Sequence, residues 1–138
     1  MALQQGATDA FKTGLMNGGY NFTSGSFKIA LYTGSATLGP DTAVYTSTNE
    51  VVATGYTAGG EILPVSVVPI SSNNITYISF SNVTWYGSIT ARGALIYQSG
   101  GSNPTVCVLD FGADKTSITS LTVQFPTADS ANAIIRIT

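Results

Sequence analysis

A chain of 138 residues suits a single domain whose core needs no metal or disulfide staple. It has no histidine and one cysteine, Cys107, which excludes an intrachain disulfide, histidine-based zinc sets and the usual serine–histidine or cysteine–histidine hydrolytic pairs. Charged residues make up 9 % of the chain, against about 25 % in ordinary soluble domains.

The first predicted element is a helix over residues 3–17. Thr8 and Asp9 can cap or charge its start, Phe11 and Leu15 are spaced i, i+4 with Met16 beside them, and Gly18-Gly19 stops it. From Phe27 the signal becomes β: Phe27, Ile29 and Leu31 alternate with Lys28, Ala30 and Tyr32. Residues 34–60 are rich in Gly, Thr and Ser and read as a long arm with little core material, with a turn at Gly39-Pro40-Asp41 and capping-box spacing from Ser47 to Glu50. Glu61–Ile70 is apolar and extended, but Pro64 and Pro69 restrict it to an edge or bulged strand.

Ile75–Val83 alternates as a strand, followed by Trp85 and Tyr86. The segments 91–97 and 105–111 form the best hairpin, with turn formers from Gln98 to Pro104 between them. Val106, Cys107, Val108 and Leu109 place apolar side chains on both faces, the pattern of a strand covered on two sides. Ile118–Phe125 alternates next, and Asn132–Thr138 reads as a last strand. About seven or eight strands follow, the count of a mainly antiparallel β-sandwich or barrel. The expected architecture is all-β with one short N-terminal helix, in one domain: residues 1–25 as helix and arm, 26–138 as the sandwich.

Chemistry is sparse. Asp110, Asp114 and Asp129 cannot be placed together as an acid–base pair. The stretch Asp110–Asp114 lacks the oxygen density of a calcium loop and reads as a turn. No phosphate-binding glycine motif occurs. Cys107, in the apolar run VCVLDF, reads as a buried structural thiol. A hairpin symmetric about its turn sets Arg92 near Asp110 as a structural ion pair. Asn21, Asn74 and Asn82 stand in Asn-x-Thr sequons, which an Asn/Thr-rich composition produces by chance. Trp85, Tyr86, Tyr45 and Tyr56 could form a sugar-stacking platform, though aromatics in β-domains more often fill cores or interfaces. No catalytic, cofactor or metal-binding residue is expected.

The cations Lys12, Lys28, Arg92, Lys115 and Arg136 are scattered, so the chain shows no footprint for nucleic acid. No stretch approaches the ~20 apolar residues of a membrane helix, and MALQQGATDAFK lacks the pattern of a signal peptide. So few charges suit either a neutral, hydroxyl-rich exterior or a surface covered by neighbours; interface cores are depleted of charge, and the second reading is preferred. The suspected interface residues are Phe11, Leu15, Met16, Tyr45 and Tyr56, on the helix and the 34–60 arm.

The segments FKIALYTGSATLG, EVVATGYTAGGEIL, TARGALIYQ, VCVLDFGADKTS and VQFPTADSANAIIRIT together resemble a family of small virion proteins of tailed bacteriophages. The resemblance runs from about Phe11 to Thr138 and carries no catalytic motif. It implies a non-enzymatic structural component of the virion, assembled in the bacterial host cytoplasm. A capsid cement or decoration protein is the first expectation, contacting the major capsid protein and its own copies, with a homotrimer as the expected oligomer. The alternative is a tail- or fibre-associated protein that binds a host receptor or glycan.

Overall fold

The alternating apolar residues of 27–32 and 91–97 sit side by side in the computed structural model, which describes residues 3–137. They belong to a five-stranded sheet of order β1-β8-β7-β2-β3. Its strands are β1 (Gly6–Ala7), β2 (Phe27–Tyr32), β3 (Glu61–Ile62), β7 (Thr90–Gln98) and β8 (Thr105–Thr116). A second layer holds β4 (Val65–Ser72), β5 (Ile75–Phe80) and β10 (Ile135–Ile137) in the order β10-β5-β4, with β6 (Val83–Tyr86) paired to β9 (Ser120–Val123). All pairs between these strands are antiparallel. The protein is all-β with one short helix, α1 (Asp9–Met16).

The centre of the five-stranded sheet, β2, β7 and the first residues of β8, is buried on both faces because these strands carry apolar side chains on both. Phe27, Ile29, Leu31, Ala94 and Ile96 meet Ile78, Phe80, Val83, Trp85 and Val123 of the second layer, with Phe11 of α1. On the opposite face Ala30, Tyr32, Leu95, Tyr97 and Val108 are covered by Leu3, Ala36, Leu38 and Tyr45. The 34–60 segment is therefore no free arm: Ala36, Leu38, Val51 and Tyr56 are buried parts of the core. It carries few apolar residues, but it spends them on ready-made apolar strand faces. The capping-box spacing at Ser47–Glu50 closes a single turn, with the Glu50 N–H donating to the Ser47 carbonyl at 3.2 Å, and no helix.

The predicted helix over 3–17 is shorter at its start. Gly6 and Ala7 pair with Val108 and Cys107, and the Thr8 N–H donates to the Val106 carbonyl at 3.1 Å. Tertiary pairing to β8 thus takes the residues that a helix would need. Thr8 is the N-cap, its hydroxyl accepting from the Phe11 N–H at 3.2 Å.

The extended segment expected over 61–70 is divided: Glu61–Ile62 pairs with β2 at the edge of the first sheet, and Val65–Ser72, which carries Pro69, is an edge strand of the second with register shifts around Val67. Asn73 and Asn74, both at positive φ (54° and 64°), make the two-residue turn into β5; their geometry is that of the type I′ hairpin turn. The turn expected at Asp110–Asp114 is instead an outward bulge within β8: Gly93 faces Asp110, yet Ala91 faces Lys115. The last strand is β10, paired with Ile78, Tyr77 and Thr76; Thr138, in the predicted strand 132–138, lies outside the described residues.

Candidate functional site

Position on the fold sorts the suspected interface residues. Phe11 is 3 % exposed and packs edge-on against Tyr20 and Phe22, at 5.1 and 5.9 Å between ring centroids. Tyr56 is buried beside Trp85. Both are core residues, so neither is available to a partner on the folded surface. Tyr45 is half-buried and stacks obliquely on Tyr97 at 4.9 Å. On α1 the i, i+4 stripe turns Phe11 inward and leaves Leu15 at the rim, 36 % exposed. Met16 projects into solvent, 92 % exposed.

Tyr45 and Tyr56 do meet, around a residue that sequence patterning read only as part of a helix cap. Glu50 is 6 % exposed and bridges to Tyr32 along the outer edge of β2. Its carboxylate accepts from the Tyr45 hydroxyl at 2.5 Å, from the Tyr56 hydroxyl in a short hydrogen bond, and from the Gly59 N–H at 2.8 Å. The Tyr56 oxygen in turn accepts from the Leu31 N–H at 2.9 Å. The Tyr97 hydroxyl donates to the Gly59 carbonyl at 2.6 Å, and that of Tyr32 to the Thr46 carbonyl at 2.5 Å. Burial is the chief cause that raises the pKa of Tyr32, Tyr45, Tyr56 and Tyr97 above the ordinary phenol value, and the neighbouring Glu50 adds to it. Every partner of the carboxylate is a donor with a fixed place in the fold. The arrangement ties residues 45–59 to the sheet edge.

Arg92 and Asp110 are 3.1 Å apart, Nε to Oδ1, in a half-exposed ion pair. Asp110 also accepts from the Gly112 N–H at 2.9 Å. That backbone bond first, then the hydrogen bond and charge of Arg92, hold its carboxyl below the ordinary value. Cys107 is buried on β8, where it pairs with Ala7 of β1, and burial pushes its thiol up to about 12. Among the described residues no three His, Cys, Asp or Glu side chains gather as a metal set. Trp85 is 2 % exposed while Tyr86 is 75 % exposed, because neighbours on β6 point to opposite faces. The sugar platform is therefore not assembled. Asn21 and Asn82 use their side-chain oxygens to accept backbone N–H groups of Thr23, Ser24 and Phe125.

What the surface offers is apolar. An uncharged groove of ≈ 160 Å³ opens between α1 and the β10-β5-β4 sheet, with Leu15, Pro69, Tyr77 and Ile137 on its walls and Phe11 and Phe22 within. Elsewhere Val52 is 97 %, Tyr86 75 % and Ile118 87 % exposed. Tyr86 ends β6 and Ile118 lies in the segment before β9, and the chain beside them is joined where the Gly87 N–H donates to the Thr119 carbonyl at 2.9 Å. Among the described residues no helix is long and apolar enough to cross a membrane. Set against known proteins, the chain matches no family model, no curated protein and no solved structure.

Proposed function

We propose that this chain is a structural protein of a tailed-bacteriophage virion, a capsid cement or decoration protein that holds the shell by contacts with the major capsid protein and with its own copies. The observation that carries the reading is a charge-poor chain whose large apolar side chains stand in water. Met16, Val52, Ile62, Tyr86 and Ile118 are each 69 % exposed or more, while only 9 % of residues are charged. Free monomers normally stay dispersed with many interspersed charges and small apolar patches; a component of an assembly covers such side chains on docking. The segment resemblance to small phage virion proteins points the same way.

Stabilisation would be additive. Each contact buries apolar area worth about 25 cal/mol per Å² before association costs, and repetition over a shell multiplies modest single-site affinities. No catalytic role is assigned: the chain has no histidine, and among the described residues no three Cys, Asp or Glu side chains gather. The test is to heat particles with and without the protein. Shells lacking it should rupture at lower temperature, and purified protein added back should restore them. Equal heat resistance in both would sink the cement reading.

The alternative, a receptor- or glycan-binding tail component, rests on the exposure of Tyr86. A glycan array that binds the domain but not its Tyr86→Ala variant would bring it forward.

A further inference from the structure

We propose that Asn17, at the C-terminal end of α1, is a site of spontaneous deamidation, in which the backbone nitrogen of Gly18 attacks the Asn17 side-chain amide.

Such a reaction needs a side-chain amide and the next backbone nitrogen free to meet, with nothing crowding the approach. Of the asparagines in the chain, Asn17 alone precedes a glycine, which has no side chain to shield its own nitrogen. Asn17 and Gly18 are both exposed, and apart from the chain neighbours of Gly18 no heavy atom lies within 4 Å of where a Cβ on it would stand. The Asn17 N–H closes the helix on the Thr13 carbonyl at 3.3 Å. Among the described residues no acceptor takes the Gly18 N–H, and no partner holds the Asn17 side-chain amide. The other asparagines are worse placed. Asn103 precedes Pro104, whose nitrogen carries no proton. Asn21 and Asn82 are tied through their side-chain oxygens to backbone N–H groups, and Asn132 through its amide to Asp129. The nitrogen after Asn49 is that of buried Glu50, which donates to the Ser47 carbonyl.

The chemistry balances with water alone. The Gly18 nitrogen gives its proton to solvent base and bonds to Asn17 Cγ; the Cγ–Nδ2 bond breaks and the amide leaves as ammonia. The succinimide ring then takes up one water at either carbonyl and opens to an aspartate or an isoaspartate at position 17, with nothing oxidised or reduced. Ring closure requires the Gly18 nitrogen to eclipse the Cβ of Asn17, so the ψ of Asn17 must turn away from its 13°. That rotation carries off Gly19, whose N–H donates to the Gly14 carbonyl at 2.7 Å. Fraying of this last turn therefore sets the pace. The product leaves a carboxylate at the negative end of the helix dipole, where α1 has no basic residue in its last turn to answer it.

The test is to incubate the full chain in mildly alkaline buffer beside Asn17→Gln, and beside the wild type in urea. Circular dichroism checks that the two chains outside urea are folded. In the wild type the tryptic peptide Thr13–Lys28 should gain one mass unit, with fragmentation placing the gain at residue 17 and not at Asn21. A species with one more negative charge should grow with it on ion exchange. Asn17→Gln should lose both signals, because glutamine closes a larger ring far more slowly. Conversion at residue 17 should be faster in urea, where no helix turn restrains ψ. A folded chain that keeps its amide at residue 17 after the urea sample has converted overturns the inference, as does an acidic species that grows equally fast in Asn17→Gln. Equal rates with and without urea would overturn the gating by the last turn.

Discussion

Glu50 is a buried carboxyl group with no salt-bridge partner among the described residues, held by two phenols and one backbone N–H. Such a group is tolerable only while its acceptor sites stay served, because a buried polar atom left unpaired costs more than a made hydrogen bond returns. Tyr56 is the hinge of the set, since its oxygen serves the Leu31 N–H while its proton serves Glu50. Tyr56→Phe keeps the ring against Trp85 and removes both bonds at once. It should lower the free energy of unfolding by about 1–3 kcal/mol, read from urea denaturation. Hydrogen exchange should rise at Leu31 and across residues 49–59 more than in β7 and β8. A loss below a few tenths of a kcal/mol, or a uniform rise in exchange, would refute the role given to this hydroxyl. Local patterning misses the network because its members come from β2, a turn and a coil, and only the folded chain sets Glu50 among them.

The elements legible in the sequence are those whose signal is local. The β7–β8 hairpin announces itself by apolar residues on both faces and a Gly-rich turn, and the β4 edge by Pro64 and Pro69. The Arg92–Asp110 proximity follows from the hairpin alone. The reading fails where distant partners compete for the backbone. Residues 4–7 have nothing against a helix until β8 offers an open edge. The 34–60 segment lacks a period because it lies as an irregular cover, anchored at Ala36, Leu38, Val51 and Tyr56. This makes α1 short, eight residues, and dependent on its cap. Thr8 is fully buried; its hydroxyl accepts from the Phe11 N–H and from the Thr105 hydroxyl, the latter at 2.9 Å. Thr8→Ala should cost about 1–2 kcal/mol, the upper part of the range for lost N-caps, and Thr8→Ser should recover most of it. Equal stability of Ala and Ser variants in thermal denaturation would show that the methyl, not the cap, is what matters.

At the scale of the molecule, a fold with so few charges hides much of its titration. The phenols of Tyr32, Tyr45 and Tyr56 and the thiol of Cys107 are all held protonated beyond their ordinary values, 10.0 and 9.0, with desolvation as the leading cause. For an acid whose folded pKa is raised, the unfolded chain is first to release its proton as pH climbs. Above that point the unfolded state binds fewer protons than the folded one, so stability falls with rising pH. The contribution is whole below the unfolded value of 9.0 and for Cys107 is lost progressively up to about 12. One such group accounts for about 1.4 kcal/mol per pH unit within its window, and the tyrosines join from about pH 10. Urea midpoints should therefore be level from pH 7 to roughly 8.5 and fall steeply from about pH 9 upward. Cys107→Ala should flatten the first part of the fall, and Tyr56→Phe should reduce the later part. A midpoint constant to about pH 11 would mean that these groups are not held as the structure holds them.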